Sequence, residues 1–212
     1  MKRLRVMWRG AAVSISSGAL LLAAATSNQH TKLVRFETAT AVPADLSIIN
    51  GSAAKLTRSE SAVGLSVNTT ELLPGAYTLW WVLFNNPEAC VDGCSGEDLG
   101  NPAVMGSVFF ATGGVVDRDG VGQFRAHLQE GEMPGGAGAV LMPGPPLLDA
   151  QRTEIHVVLR YHGPVVERIL MKQLTTHWGG CSLAAPAVVV DPVPGDRVYP
   201  CYDPQAAVFR AP

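Results

Sequence analysis

Apolar residues recur along the chain in short runs separated by Gly, Pro, Asn and Asp, and most of the runs alternate with a period of two. Leu33 to Thr40, Ala62 to Thr69, Ala76 to Asn85, Ser107 to Thr112, Val121 to Gln129, Thr153 to His162 and Ala206 to Arg210 read as strands. In TEIHVVLRYH (153–162), Thr153, Ile155, Val157, Leu159 and Tyr161 share one face, while Glu154, His156, Val158, Arg160 and His162 share the other. The pattern predicts one core face and one solvated face. AYTLWWVLFN (76–85) is apolar on both faces and reads as a central strand covered on both sides.

The punctuation between the runs agrees. Asp117-Arg118-Asp119-Gly120 supplies the Asp-Gly pair that favours a tight hairpin between its flanking strands. Helical spacing is confined to Val166, Leu170, Leu174 and Trp178, with Ile169 beside them, and a short strand over residues 168–172 competes with it. The Gly/Pro-rich segments 131–146 and 186–195 read as surface loops pinned to the sheet. The expected fold is all-β: a single antiparallel β-sandwich, jelly-roll or immunoglobulin-like, with at most one short helix.

Composition adds mainly an address. Of 212 residues, 47% are apolar and 16% charged, enough for one well-filled domain. The first 25 residues carry Lys2, Arg3, Arg5 and Arg9 without an acid, then an apolar run to Ala25 that is too short to span a bilayer. Ala23 and Ala25 form an A-x-A site with cleavage before Thr26, although Ala25 and Ser27 equally permit cleavage before Asn28. Residues 1–25 therefore read as a signal peptide and 26–212 as the exported domain, secreted or periplasmic, with no later membrane span. Removing the four basic residues takes the formal charge from −2 to −6, an acidic balance that argues against nucleic acid as a partner.

Cys90, Cys94, Cys181 and Cys201 all lie in the exported part, where disulfides persist. Of the three connectivities, Cys90–Cys94 with Cys181–Cys201 is favoured because each pair brackets a segment rich in turn formers. Zinc is disfavoured, since the second pair lacks the close spacing of a zinc-binding knuckle. Asp117 to Gly120 does not continue as a calcium loop, because Val121 and Leu128 stand where oxygen ligands are needed. Asp92, Glu97 and Asp98 cluster beside Cys90 and Cys94, leaving open whether a hard cation sits there. His127, His156, His162 and His177 include no H-x-H or H-E-x-x-H pattern, and His156 and His162 lie roughly 20 Å apart along a strand. There is no G-x-S-x-G, P-loop or dinucleotide fingerprint, so no catalytic residue, metal or cofactor is assigned.

The strings PGAYTLWWVLFNNPEAC (74–90), TEIHVVLRYHGP (153–164), WGGC (178–181) and CYDPQAAVF (201–209) resemble a family of secreted bacterial proteins with no assigned activity. In overall character the chain is also loosely similar to CHRD-type secreted β-sandwich domains. The resemblance implies export, a bacterial host and paired cysteines, and nothing about chemistry. The expected function is a non-catalytic secreted or periplasmic binding or structural domain with an extracellular or cell-surface ligand. His156, Arg160 and His162 on the polar strand face are the candidate ligand contacts. The alternative is an unrecognised secreted enzyme, a metal-dependent one included, in which Glu154, Asp149 and Glu167 converge with His127 or His177 in the fold.

Overall fold

Alternation of apolar and polar residues produces two antiparallel sheets, as a computed structural model describing residues 26–36, 47–136, 138–181 and 201–212 shows. The proposed signal peptide and the segment 186–195 lie outside the described residues. The chain runs β1 (Ser27–Thr31), β2 (Val34–Arg35), β3 (Ala53–Arg58), β4 (Ala62–Thr69), β5 (Gly75–Phe84), β6 (Gly106–Val116), β7 (Gly122–Gln129), β8 (Val140–Met142), β9 (Glu154–Tyr161), α1 (Leu170–Thr175) and β10 (Tyr202–Phe209). One sheet has the order β1-β3-β4-β7 and the other β2-β10-β9-β5-β6-β8. This is the all-β sandwich that the patterning indicates, with one short α-helix among the described residues.

Between the sheets, β4 contributes Val63, Leu65 and Val67, β7 contributes Phe124 and Leu128, and the facing sheet supplies Tyr77, Leu79, Trp81, Leu83, Ile155, Val157, Leu159 and Phe209. Burial of these side chains is the main stabilising term, at roughly 1.5–3 kcal/mol for each large aliphatic or aromatic group. β5 is buried along its whole length: β6 and β9 pair with its two edges, and its two apolar faces enter two separate buried clusters, one between the sheets and one on the outer side.

Two expectations need correction. The turn at Asp117–Gly120 forms, with Gly120 N–H donating to the Asp117 carbonyl at 3.1 Å and Gly120 at φ 70°, but it closes no hairpin. β6 already pairs with β5 and β8, and β7 pairs with β4, so the turn carries the chain from one sheet to the other around the end of the core. The second correction concerns β9. Its supposedly solvated face is covered, because Glu154, His156, Arg160 and His162 are all buried. A second layer lies over it: α1, the segment 177–181, and the loop 87–105. α1 approaches so closely that a Cβ on Gly113 of β6 would stand 2.1 Å from the Leu174 carbonyl oxygen, so only glycine fits there.

Candidate functional site

Alternation along β5 and β9 puts Thr78, Trp80, Val82 and Phe84 beside Glu154, His156, Val158 and Arg160 on the outer face of the six-stranded sheet. A second apolar cluster gathers there, with Trp80, Val82, Phe84, Cys94, Val104 and Val108 buried. The loop that supplies Cys94 is pinned by the Cys90–Cys94 disulfide. Its cap at Ser95 uses Asp98, whose Oδ2 accepts from the Ser95 amide at 2.8 Å and the Ser95 hydroxyl at 2.9 Å. Asp98 is thus committed to the loop's own fold, and Asp92 and Glu97 stay exposed.

Polar groups are threaded through this apolar layer. Trp80 Nε1–H donates to Thr78 Oγ1 at 2.7 Å, and Thr78 Oγ1 lies 2.7 Å from His162 Nε2. His162 Nδ1 lies 2.8 Å from the Gly179 carbonyl oxygen, which only accepts, so Nδ1 carries the hydrogen and Nε2 accepts from the threonine hydroxyl. Burial then pulls the imidazole pKa down to about 4, with Arg160 adding to the shift and the Gly179 bond opposing it. Gln173 of α1 is fully buried and donates through Nε2 to the carbonyls of His162 and Pro164, locking the helix onto the sheet.

Arg160 organises the neighbouring segment. Its Nε donates to the His177 carbonyl at 2.9 Å, Nη1 donates to Asp203 Oδ1 at 2.8 Å, and its guanidinium stands 5.2 Å from the Trp178 ring centroid. Burial raises the Asp203 carboxyl pKa despite the opposing pull of Arg160. His177 packs edge-on between Trp80 and Trp178, and its buried Nδ1 has no hydrogen-bond partner among the described residues. Burial, with Arg160 and His162 acting in the same direction, brings its pKa down to about 3. Beside Phe84, His156 Nε2 lies 2.7 Å from Glu154 Oε1, which also accepts from Arg210 Nη1 at 2.7 Å.

These groups meet at a pocket of about 190 Å³. Trp80, Val82 and Phe84 of β5 form its floor with Val158, Leu99 of the disulfide-pinned loop forms part of its wall, and His156, His177 and Asp203 supply polar edges. Of the three residues expected to contact a ligand, His156 lines the pocket. Arg160 holds two of its walls in place, and His162 is sealed away beside the Cys181–Cys201 disulfide. His177, Asp203 and the aromatic floor complete the pocket from segments distant in sequence.

The catalytic convergence considered for Glu154, Asp149, Glu167, His127 and His177 does not form. Glu154 meets His156, Asp149 accepts from the amides of Gln151 and Arg152, and His127 is exposed on β7 in the other sheet. Among the described residues, the set of three potential metal ligands that converges is His162, Cys181 and Cys201, with both sulfurs joined in the disulfide. No family model, no curated protein and no solved structure matches the chain.

Proposed function

We propose that the protein is an exported, non-catalytic binding domain that holds a small neutral molecule, about one ring in size and bearing one hydroxyl, in the pocket on the outer face of the six-stranded sheet. The carrying observation is the pocket's composition: aromatic and aliphatic walls with polar groups confined to His156, His177 and Asp203. Its 190 Å³ compares with the roughly 150 Å³ that holds a benzene ring. Charges at the site are already balanced, Arg160 against Asp203 and Arg210 against Glu154, which disfavours an ionic ligand. A hydroxyl donating to Asp203 or to an imidazole nitrogen fits the polar edge. Two disulfides support an oxidising compartment, and among the described residues no helix is long and apolar enough to cross a membrane.

The His156–Glu154 pair favours a second reading, acid–base catalysis in the same pocket, because a carboxylate orienting an imidazole is a recurrent arrangement for proton transfer. None of the described lining residues is Ser, Thr, Cys, Lys or Tyr, and the one carboxylate on the wall, Asp203, is held by Arg160. Titration with phenol tests the binding reading. Saturable binding of one phenol per chain, lost in Leu99→Trp with the fold intact, is the expected result. Equal phenol binding by wild type and Leu99→Trp would contradict it.

A further inference from the structure

We propose that reduction of the Cys181–Cys201 disulfide turns this corner of the protein into a zinc site, with His162 Nδ1 and the two cysteine sulfurs as its three protein ligands. This inference does not rest on the pocket reading. His162 Nδ1 lies 3.6 Å from Cys181 Sγ and 3.9 Å from Cys201 Sγ. Zinc bonds of about 2.3 Å to sulfur and about 2.1 Å to nitrogen place the corners of a tetrahedral site about 3.6 Å apart, so both nitrogen–sulfur separations are near the required values. The two sulfurs must part, and the Gly179 carbonyl, 2.8 Å from Nδ1 on the side where the metal binds, must turn aside; both cysteines are half-buried.

The surroundings supply what a zinc site needs beyond its ligands. Once Nδ1 turns to the metal, the ring hydrogen moves to Nε2, where Thr78 Oγ1 already stands at 2.7 Å to receive it. Such a partner on the second ring nitrogen orients metal-bound histidines generally. The Gly179 carbonyl, 2.8 Å from Nδ1 in the disulfide form, accepts from a water in the fourth zinc position once it has turned aside for the metal. Two thiolates neutralise the ion, so no net charge is added to a buried corner that already holds Arg160.

The chemistry balances in two steps. A dithiol reductant of the thiol–disulfide oxidoreductase class transfers two electrons and two protons to the disulfide and is itself oxidised to a disulfide. Zinc then displaces the two thiol protons as both metal–sulfur bonds form. In an oxidising compartment the site stays latent, and it opens where such a reductant acts.

The experiment uses the full chain carrying Cys90→Ser and Cys94→Ser, which removes the other sulfur pair, reduced with a water-soluble phosphine and titrated with zinc. One zinc retained per chain after desalting is expected, with none retained by the disulfide form. His162→Gln should weaken binding by at least the roughly 100-fold that losses in the outer shell of metal sites reach. Zinc binding that is absent, or unchanged in His162→Gln, overturns the proposal. Because His162 is fully buried, so that replacing it also tests the fold, ring-nitrogen NMR shifts of the reduced parent give an independent reading. A zinc-induced shift at His162 Nδ1 supports the site, and an unmoved His162 overturns it. Should the reduced parent unfold, recovery of the fold by zinc supports the proposal and failure to recover it counts against it.

Discussion

On the inner face of the six-stranded sheet, Tyr77, Leu79, Trp81 and Leu83 meet Val63, Leu65, Val67 and Phe124 of the opposing sheet in one continuous apolar layer. On the outer face of the same strands, Trp80, Val82 and Phe84 share their layer with His156, Arg160 and His162, and a pocket remains beside them. Both faces are buried. The inner one is closed by another sheet, whose alternating side chains fill it, whereas the outer one is closed by α1 and loops that bring carbonyls, rings and two disulfides. A helix–loop cover leaves backbone groups to be satisfied, and the buried polar residues of β5 and β9 do that. The inner face thus supplies stability, and the outer face is the part of the molecule that can be specialised.

The largest expected effect contrasts the adjacent tryptophans. Trp81→Ala empties the inner core and should cost about 5 kcal/mol, while Trp80→Ala, which opens into the existing pocket, should cost about 3 kcal/mol. Denaturant unfolding of the two variants measures the difference, and equal losses would erase the distinction between the faces.

Acid should then attack the outer face selectively. His162 and His177 are held to about 4 and about 3 in the fold, against about 6.5 in the unfolded chain. The unfolded chain therefore binds protons that the folded one refuses. Stability is complete above about pH 6.5 and is lost as pH falls through about 4, by on the order of 3 kcal/mol for His162. Asp203, whose carboxyl pKa is raised by burial, works in the opposite direction at the acidic end and offsets part of this loss. Thermal unfolding across this range checks the slope, which His162→Gln should flatten.

Arg160→Met should cost about 2 kcal/mol at neutral pH, by leaving Asp203 and the His177 carbonyl without their donor. This lies below the usual loss for a broken buried pair because Asp203 is only half-buried. The penalty should shrink as the solution is acidified and Asp203 takes a proton. At the bottom of the scale, Leu99→Ala removes a partly exposed side chain beside an open pocket and should cost about 1 kcal/mol. Leu79→Ala in the inner layer should cost about 3 kcal/mol by the same assay.

Where burial is two-sided between strands, the sequence is a good guide. Ala62–Thr69 is β4 residue for residue, and the division of β5 and β9 into two faces is the observed one. β1 was not legible because Ser27–Thr31 is polar at every position and joins the sheet through its backbone pairing with β3. β3 carries only Ala54 and Leu56 inward before the buried Arg58, whose Nη1 donates to the Ala150 carbonyl at 2.7 Å. The site was half legible. Alternation placed His156, Arg160 and His162 on one face, but a polar strand face reads as solvated unless its cover is known, and that cover comes from residues 87–105 and 170–181. Asp203 and His177 reach the site only through tertiary packing, which no spacing in the chain encodes. The two disulfide pairings, by contrast, follow the turn-rich segments between the cysteines.

The proposal made above places a small hydroxyl-bearing ring on the outer face, between β5 and the disulfide-pinned loop. Intermolecular nuclear Overhauser effects from bound phenol test it most directly. Contacts from the phenol ring to Trp80, Phe84, Leu99 and His156 are expected. Contacts confined to other surfaces, or none at saturating phenol, would contradict it.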